Sequence, residues 1–125
     1  MANFATVMTL QQWLGEEPWR AELPHSRDSH ALIWLTRGQG RAVIDGVLRG
    51  ITVHTALCVP AKTMLQLDLN PQTFGSVCVV PSHSGVLMPD ETTILRIRDS
   101  QAQNELTTLL EAMQRVLGIS DELAT

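Results

Sequence analysis

Short apolar runs separated by turn-forming residues fill the stretch 32–69, and they constrain the fold more than any other feature of the chain. The runs are interrupted at Gly38, at Asp45-Gly46 and at Pro60. Such runs, bounded by Gly, Asp and Pro, are typical of consecutive antiparallel strands. Asp45-Gly46 is the strongest turn signal, because a tight hairpin turn needs positive φ, which glycine adopts without steric cost. The stretch therefore predicts a small β-barrel or jelly roll.

Two more strands are expected beyond this stretch, over 76–80 and 92–97, and a helix follows them. After Asp99 the apolar spacing changes to the pattern of one face of an amphipathic helix. We expect this helix over about 100–117, because Asp99 or Ser100 can cap its start and Gly118 is a natural stop. Its apolar stripe consists of Ala102, Leu106, Leu109, Leu110, Met113, Val116 and Leu117.

The two ends of the chain carry few signals. Residues 1–6 lack a basic segment followed by an apolar core, so we predict no signal peptide and expect a cytoplasmic protein. Residues 1–125 are expected to form one domain. Ser120-Asp121-Glu122 is typical of the first turn of another helix, so we expect the chain to continue beyond Thr125.

The charge balance argues against a nucleic-acid surface on this chain. The formal net charge is −4, and no run of Lys and Arg is present. DNA-binding surfaces need clustered positive charge, and no apolar run approaches the ~20 residues of a membrane span. We therefore expect neither DNA nor a membrane as a direct partner. Cys58 and Cys78 lie within expected strands, so they should be buried and reduced, with a disulfide as the open alternative.

The order of these elements, together with three short phrases, carries a family resemblance. The phrases are residues 32–40 (LIWLTRGQG), 59–61 (VPA) and 95–99 (LRIRD), the last of which leads into the amphipathic helix. Over about 25–117 the chain resembles a cupin. More narrowly, it resembles the N-terminal effector-binding and dimerisation domain of AraC-type transcription regulators.

The resemblance implies a mainly β fold, namely a cupin-like double-stranded β-barrel (jelly roll) over about 25–97 with a C-terminal amphipathic α-helix. It also implies a homodimer that binds a small-molecule effector in the barrel. Effector binding would move the helix or an arm, and DNA would be reached only through a C-terminal helix-turn-helix domain missing from this chain. It does not say which effector binds, or whether binding activates or represses.

Cupin enzymes typically hold a metal ion through two motifs. Aligning the glycine of the first motif with Gly38 puts its glutamate at Ala31 and its histidines at His25 and Arg27. Aligning the second motif on the strand-ending proline puts its histidine at Leu65. Only His25 keeps a ligand identity, and one imidazole cannot replace the roughly three protein ligands of even an open zinc site. We therefore expect no metal and no other cofactor.

No catalytic constellation is predicted. Ser82-His83-Ser84 places hydroxyls beside an imidazole, but adjacency in sequence is not triad geometry, and the context predicts a solvated turn. The expectation is therefore a sensor domain that is not an enzyme. The alternative is a stand-alone small cupin enzyme, an isomerase or a dioxygenase-like protein acting on a small metabolite. A plain dimeric binding module is a third class.

The ligand site is expected on the inward face of the barrel. Strand alternation places Ala31 and Ile33 on one face, which looks inward if the cupin register holds. Leu65 stands at a former metal position, so the lining would be largely apolar, as small-molecule pockets are. His25 and Arg27 are the candidates for polar recognition. The alternative for this pair is an exposed loop that binds nothing.

The C-terminal helix has two interpretations. Its stripe can cover an open face of the barrel, or it can contact a second subunit, as the resemblance implies. The residues expected at a dimer interface are Leu106, Leu109, Leu110, Met113 and Leu117.

Overall fold

The computed structural model describes residues 5–16, 29–82 and 90–124, with side chains described as far as Leu14 in the first range and Val116 in the last. Eight strands and two helices lie in these ranges. In chain order they are β1 (Thr6–Thr9), α1 (Leu10–Glu16), β2 (Ser29–Arg37), β3 (Gly40–Ile44), β4 (Val47–Ile51), β5 (Thr55–Val59), β6 (Leu65–Leu69), β7 (Phe74–Pro81), β8 (Thr93–Arg96) and α2 (Ser100–Ala124).

The strands form two antiparallel sheets. A five-stranded sheet has the order β1-β7-β2-β5-β8, and a three-stranded sheet has the order β4-β3-β6. The expected mainly β fold with a C-terminal helix is thereby confirmed. The described strands make two sheets packed face to face rather than a closed barrel, an arrangement compatible with a jelly roll. None of the helices in the described ranges is long and apolar enough to cross a bilayer.

Strand β2 is the centre of the larger sheet and is buried on both faces. Ala31, Ile33 and Leu35 lie in the core between the two sheets, as the alternation predicted. Trp34 points to the opposite face, where it belongs to a second apolar cluster beneath α2. Because both faces of β2 are covered, its sequence is an almost continuous apolar run.

The hairpin between β3 and β4 turns at Asp45-Gly46, as predicted. Asp45 has φ 47° and Gly46 has φ 85°, so both central residues are left-handed, as a type I′ turn requires. The Asp45 carboxylate also accepts the Met64 backbone N–H over 2.9 Å. This bond ties the hairpin to the chain entering β6.

The N-terminal part adds a strand that the sequence did not predict. Strand β1 pairs with β7 at the edge of the larger sheet, and α1 follows it. Trp13 of α1 is buried in the core between the sheets, so α1 packs onto the strands.

Helix α2 starts where the sequence placed it and ends later. The Asp99 carboxylate accepts the Ala102 N–H over 2.9 Å, so Asp99 is the N-cap. The helix continues through Gly118 to Ala124, and the expected stop at Gly118 is therefore wrong. Ser120 lies within this helix and does not begin another. A glycine inside a helix costs only about 1 kcal/mol, which neighbouring turns can offset.

The two cysteines are free thiols, as predicted. Cys58 on β5 and Cys78 on β7 are both register partners of Leu32 on the intervening strand β2. They therefore lie on one face of the sheet, two strand spacings or roughly 10 Å apart. A disulfide needs Cα atoms within about 7 Å, so this register excludes the bond.

Candidate functional site

Three of the expected ligand residues lie together in the core between the sheets. Ala31, Ile33 and Leu65 belong to one cluster of buried side chains. His25 and Arg27 lie outside the described residues, so their part in a ligand site stays a prediction.

The two described histidines lie at opposite ends of strand β2. His30, near its start, accepts the Ala61 backbone N–H at Nδ1 over 2.9 Å. His54 is fixed at the other end by its backbone N–H, which donates to the Leu35 carbonyl over 2.8 Å. Five residues of strand separate these ends by roughly 17 Å, too far for one metal ion. Among residues 5–16, 29–82 and 90–124, no three His, Cys, Asp or Glu residues are grouped as metal ligands.

A gap opens where edge strand β4 of the smaller sheet faces edge strand β8 of the larger one. It holds a cavity of about 310 Å³ lined by Ile44, Val47, Arg49, Thr92 and Ile94. Ile44 belongs to the core between the sheets, and Ile94 packs against that core. The cavity is therefore an entrance to the interior of the sandwich.

An arginine stands on the inner face of each of the two strands that border this gap. Arg49 is the register partner of Ala42, which is fully buried in the core. Directly opposite residues of an antiparallel pair share a face, so Arg49 lies on the inner face of β4. Arg96 is likewise opposite the buried Thr55, two residues after the inward-facing Ile94.

A second cavity, of about 330 Å³, continues along β8 toward the start of α2. Its lining is Val53, His54, Arg96, Ile97, Arg98 and Gln103. Ile94 in the first cavity and Arg96 in the second are two residues apart on one face of β8, or roughly 7 Å. The two cavities are thus neighbours. We call them together the cationic slot, after Arg49, Arg96 and Arg98.

The positive charge of the slot is uncompensated in the described part of the chain. Arg49, Arg96 and Arg98 make no hydrogen bond or ion pair with any described residue. No Asp or Glu is among the described residues that line either cavity. In contrast, Arg41 on the outer face of the smaller sheet is paired with Asp68 over 2.6 Å. A chain with net charge −4 therefore concentrates unpaired cations at one opening.

The predicted dimer residues divide between two faces of α2. Leu106, Leu110 and Met113 pack into the cluster on the outer face of the larger sheet. Leu109 faces outward and is 57% exposed, as is Val116 at 62%. The Leu117 side chain lies outside the described side chains. The helix thus covers the sheet and still exposes two large apolar side chains on its outer face.

The site residues expected from the sequence do not include Arg49, Arg96, Arg98 or His54. The sequence does hold one indication of Arg49. Val47, Arg49 and Ile51 are alternate residues of β4 and lie on the same face of the strand, so an arginine stands between two apolar residues on the inner face. Which strand faces β4 across the gap depends on the order of the sheets, and the strand sequences do not state that order.

Comparisons with solved structures give distant structural likenesses. No family model and no curated protein sequence matches the chain. A solved structure, unsaturated fatty acid bound ToxT from Vibrio cholerae strain SCE256, is similar over 87% of this chain with a TM-score of 0.44 and 11% sequence identity. The chain spans 46% of that protein's length. The likeness is too distant to assign a family or a function.

Proposed function

We propose that the chain is the metal-free ligand-sensing and dimerisation domain of an AraC-type transcription regulator that works in the cytoplasm. DNA contact would belong to a helix-turn-helix domain outside this chain. Two observations support the proposal. The three sequence phrases resemble that family in order and spacing, and the molecule is a two-sheet β structure followed by a long helix on its outer face.

Helix α2 carries the proposal because it touches the slot at one end and exposes Leu109 and Val116 on its outer face. Gln103, in its first turn, lines the second cavity and donates its side-chain N–H to the Ile97 carbonyl over 2.8 Å. Leu109 and Val116 face solvent on the same helix. A ligand in the slot would contact the beginning of the helix whose outer face meets a second subunit. Effector binding could therefore change the dimer geometry, and with it the spacing of the DNA-binding domains.

The residue roles follow from these positions. The effector would enter through the slot and reach the inner face at Ala31, Ile33 and Leu65, which belong to the same core cluster as the slot residue Ile44, with His25 and Arg27 as further polar contacts. The second subunit would contact Leu109, with Leu117 further along the helix. Leu106, Leu110 and Met113 hold the helix to its own sheet, and their effect on dimerisation would be indirect.

A reporter assay tests the proposal directly. The chain is fused to a DNA-binding domain that represses a promoter only as a dimer, and repression is measured in cells. We expect repression by the fusion, its loss with Leu109→Glu and its retention with Leu48→Glu. Leu48 is a matched control, because it is 61% exposed on the outer face of β4. A fusion that does not repress, or a Leu109→Glu variant that represses fully, overturns the proposal.

A further inference from the structure

We propose that the cationic slot binds a small organic anion, with a carboxylate or phosphate group at Arg96 and Arg98 and an apolar body against Ile44, Val47 and Ile94. The inference rests on the proposed function and deepens it, since it names the chemical class of the effector. The observation behind it is that two cavities are neighbours. One is lined by Arg96 and Arg98, and the other is lined by aliphatic side chains beside Arg49.

The charged end of the slot suits an oxyanion. Arg96 and Arg98 present guanidinium groups, which bind planar oxyanions through paired N–H donors. Neither arginine has a partner among the described residues. Asp99, the acidic residue next to Arg98, is already engaged by the Ala102 N–H. An incoming anion would therefore be the first group to pair directly with either guanidinium among the described groups.

The wall of the charged end is held in place before any ligand arrives. His54 has φ 63°, and its backbone bonds two elements at once. Its N–H donates to the Leu35 carbonyl over 2.8 Å, and its carbonyl accepts the Ile97 N–H over 2.9 Å. The imidazole also lies beside the buried Trp34 ring, with centroids 6.0 Å apart. A fixed wall lowers the entropic cost of ordering the site on binding.

The apolar end limits the size of the ligand. Its volume of about 310 Å³ is at the lower end of the range of small-molecule pockets, about 300–1,000 Å³. Ile44, Val47 and Ile94 offer aliphatic surface, with Arg49 and Thr92 as the polar groups beside it. The volume of this end therefore favours a short chain or a single ring over a long molecule.

Inward-pointing charges on edge strands have another known use, which is to prevent edge-to-edge aggregation. Arg49 and Arg96 stand on the edge strands β4 and β8, so they could serve this purpose alone. The two roles predict different results. A protective charge affects the solubility of the variants, whereas a ligand contact affects anion binding by soluble protein.

The test is an NMR titration of the protein with hexanoate, hexyl phosphate, hexanamide, acetate and inorganic phosphate. We expect hexanoate or hexyl phosphate to bind at least about tenfold more tightly than hexanamide, because only the two anions can form charge-paired hydrogen bonds with the guanidinium groups of Arg96 and Arg98. The better of the two identifies the head group. Both should exceed acetate and inorganic phosphate, and the shifted amides should include those of β8 and His54.

Variants locate the contact. Arg96→Gln and Arg98→Gln should each weaken binding about tenfold, whereas Arg41→Gln on the outer face should leave it unchanged. Equal binding of hexanoate and hexanamide, inorganic phosphate binding as tightly as hexyl phosphate, or equal effects of all three substitutions overturns the proposal. The comparison of hexanoate with its amide needs no variant, so it stands even where a substitution impairs folding.

The dimer-dependent reporter separates this inference from the function on which it rests. If the fusion represses but no anion binds, the slot proposal is wrong, and the sensor proposal stands with a different ligand. If an anion binds but the fusion does not repress, the regulator proposal is wrong, and the chain is an anion-binding module.

Discussion

The indole N–H of Trp34 donates to the Thr107 hydroxyl over 2.9 Å, which links the centre of the larger sheet to helix α2. Trp34 is fully buried, and a buried indole N–H needs such a partner. The same ring lies beside His54 of the cationic slot. One side chain thus contacts the slot wall and fixes the position of the helix that leads to the proposed dimer surface.

We expect Thr107→Val to lower the free energy of unfolding by about 1 kcal/mol or more, because it leaves the Trp34 N–H buried without an acceptor. Urea unfolding at neutral pH measures the change. Thr108→Val is the matched control, since Thr108 is the next residue and lies on the exposed face of α2. Equal unfolding midpoints for the two variants would show that the bond adds nothing to stability.

Neighbouring leucines on α2 should separate stability from association. Leu110 is 2% exposed and Leu109 is 57% exposed. Leu110→Ala should cost about 2–5 kcal/mol of unfolding free energy through lost burial and a new cavity. Leu109→Ala should change stability by less than about 0.5 kcal/mol, as exposed positions usually do. Urea unfolding tests both values.

The same pair tests the dimer proposal. Sedimentation equilibrium should show a weaker dimer for Leu109→Ala than for the unchanged chain. A chain that is monomeric at all concentrations, or a Leu109→Ala variant with undiminished association, would remove Leu109 from the proposed interface.

Leu109 and Leu110 show how much of the helix could be predicted from the sequence. The apolar period predicted the helix and its stripe, but Leu109 and Leu110 are one residue, or about 100°, apart on the helix. Spacing alone cannot say which of them the sheet covers. The stop at Gly118 failed for a related reason, because a helix end depends on packing as much as on one glycine. The Asp45-Gly46 turn was predictable because its requirement for positive φ is local.

The cationic slot could not be predicted from the sequence, for a different reason. Arg49 and Arg96 stand far apart in the chain, on strands of different sheets. Strand alternation can assign each arginine to the inward face of its own strand. The two strands face one another only in the assembled sandwich, and this arrangement brings the two arginines into one site.

The hairpin turn offers a clean test of backbone conformation. Gly46 has φ 85°, and a Cβ there would meet no neighbouring atom within 4 Å. Gly46→Ala should therefore destabilise the protein through its backbone alone, by about 1–2 kcal/mol. Gly50→Ala is the control, since its surroundings are equally open and its φ is not in the left-handed region. We expect Gly50→Ala to be neutral or slightly stabilising. Equal losses for both variants in urea unfolding would contradict the assigned turn.

Alkaline pH should destabilise the protein through its two thiols. Burial raises the pKa of Cys58 and of Cys78 above the ordinary value of 9.0, because desolvation disfavours the thiolate. Above pH 9.0 the unfolded chain loses these protons while the folded chain keeps them. The folded state then binds more protons, so the free energy of unfolding falls as pH rises through the folded-state pKa values. Below pH 9.0 the full stability contribution of the two protonated thiols is present.

Urea unfolding measured from neutral pH to above 9.0 should show this decline in the free energy of unfolding. The decline should be shallower in a Cys58→Ala/Cys78→Ala variant. For each protein, the decline is measured relative to its own free energy of unfolding at neutral pH. An unchanged slope in that variant would assign the alkaline loss to other groups.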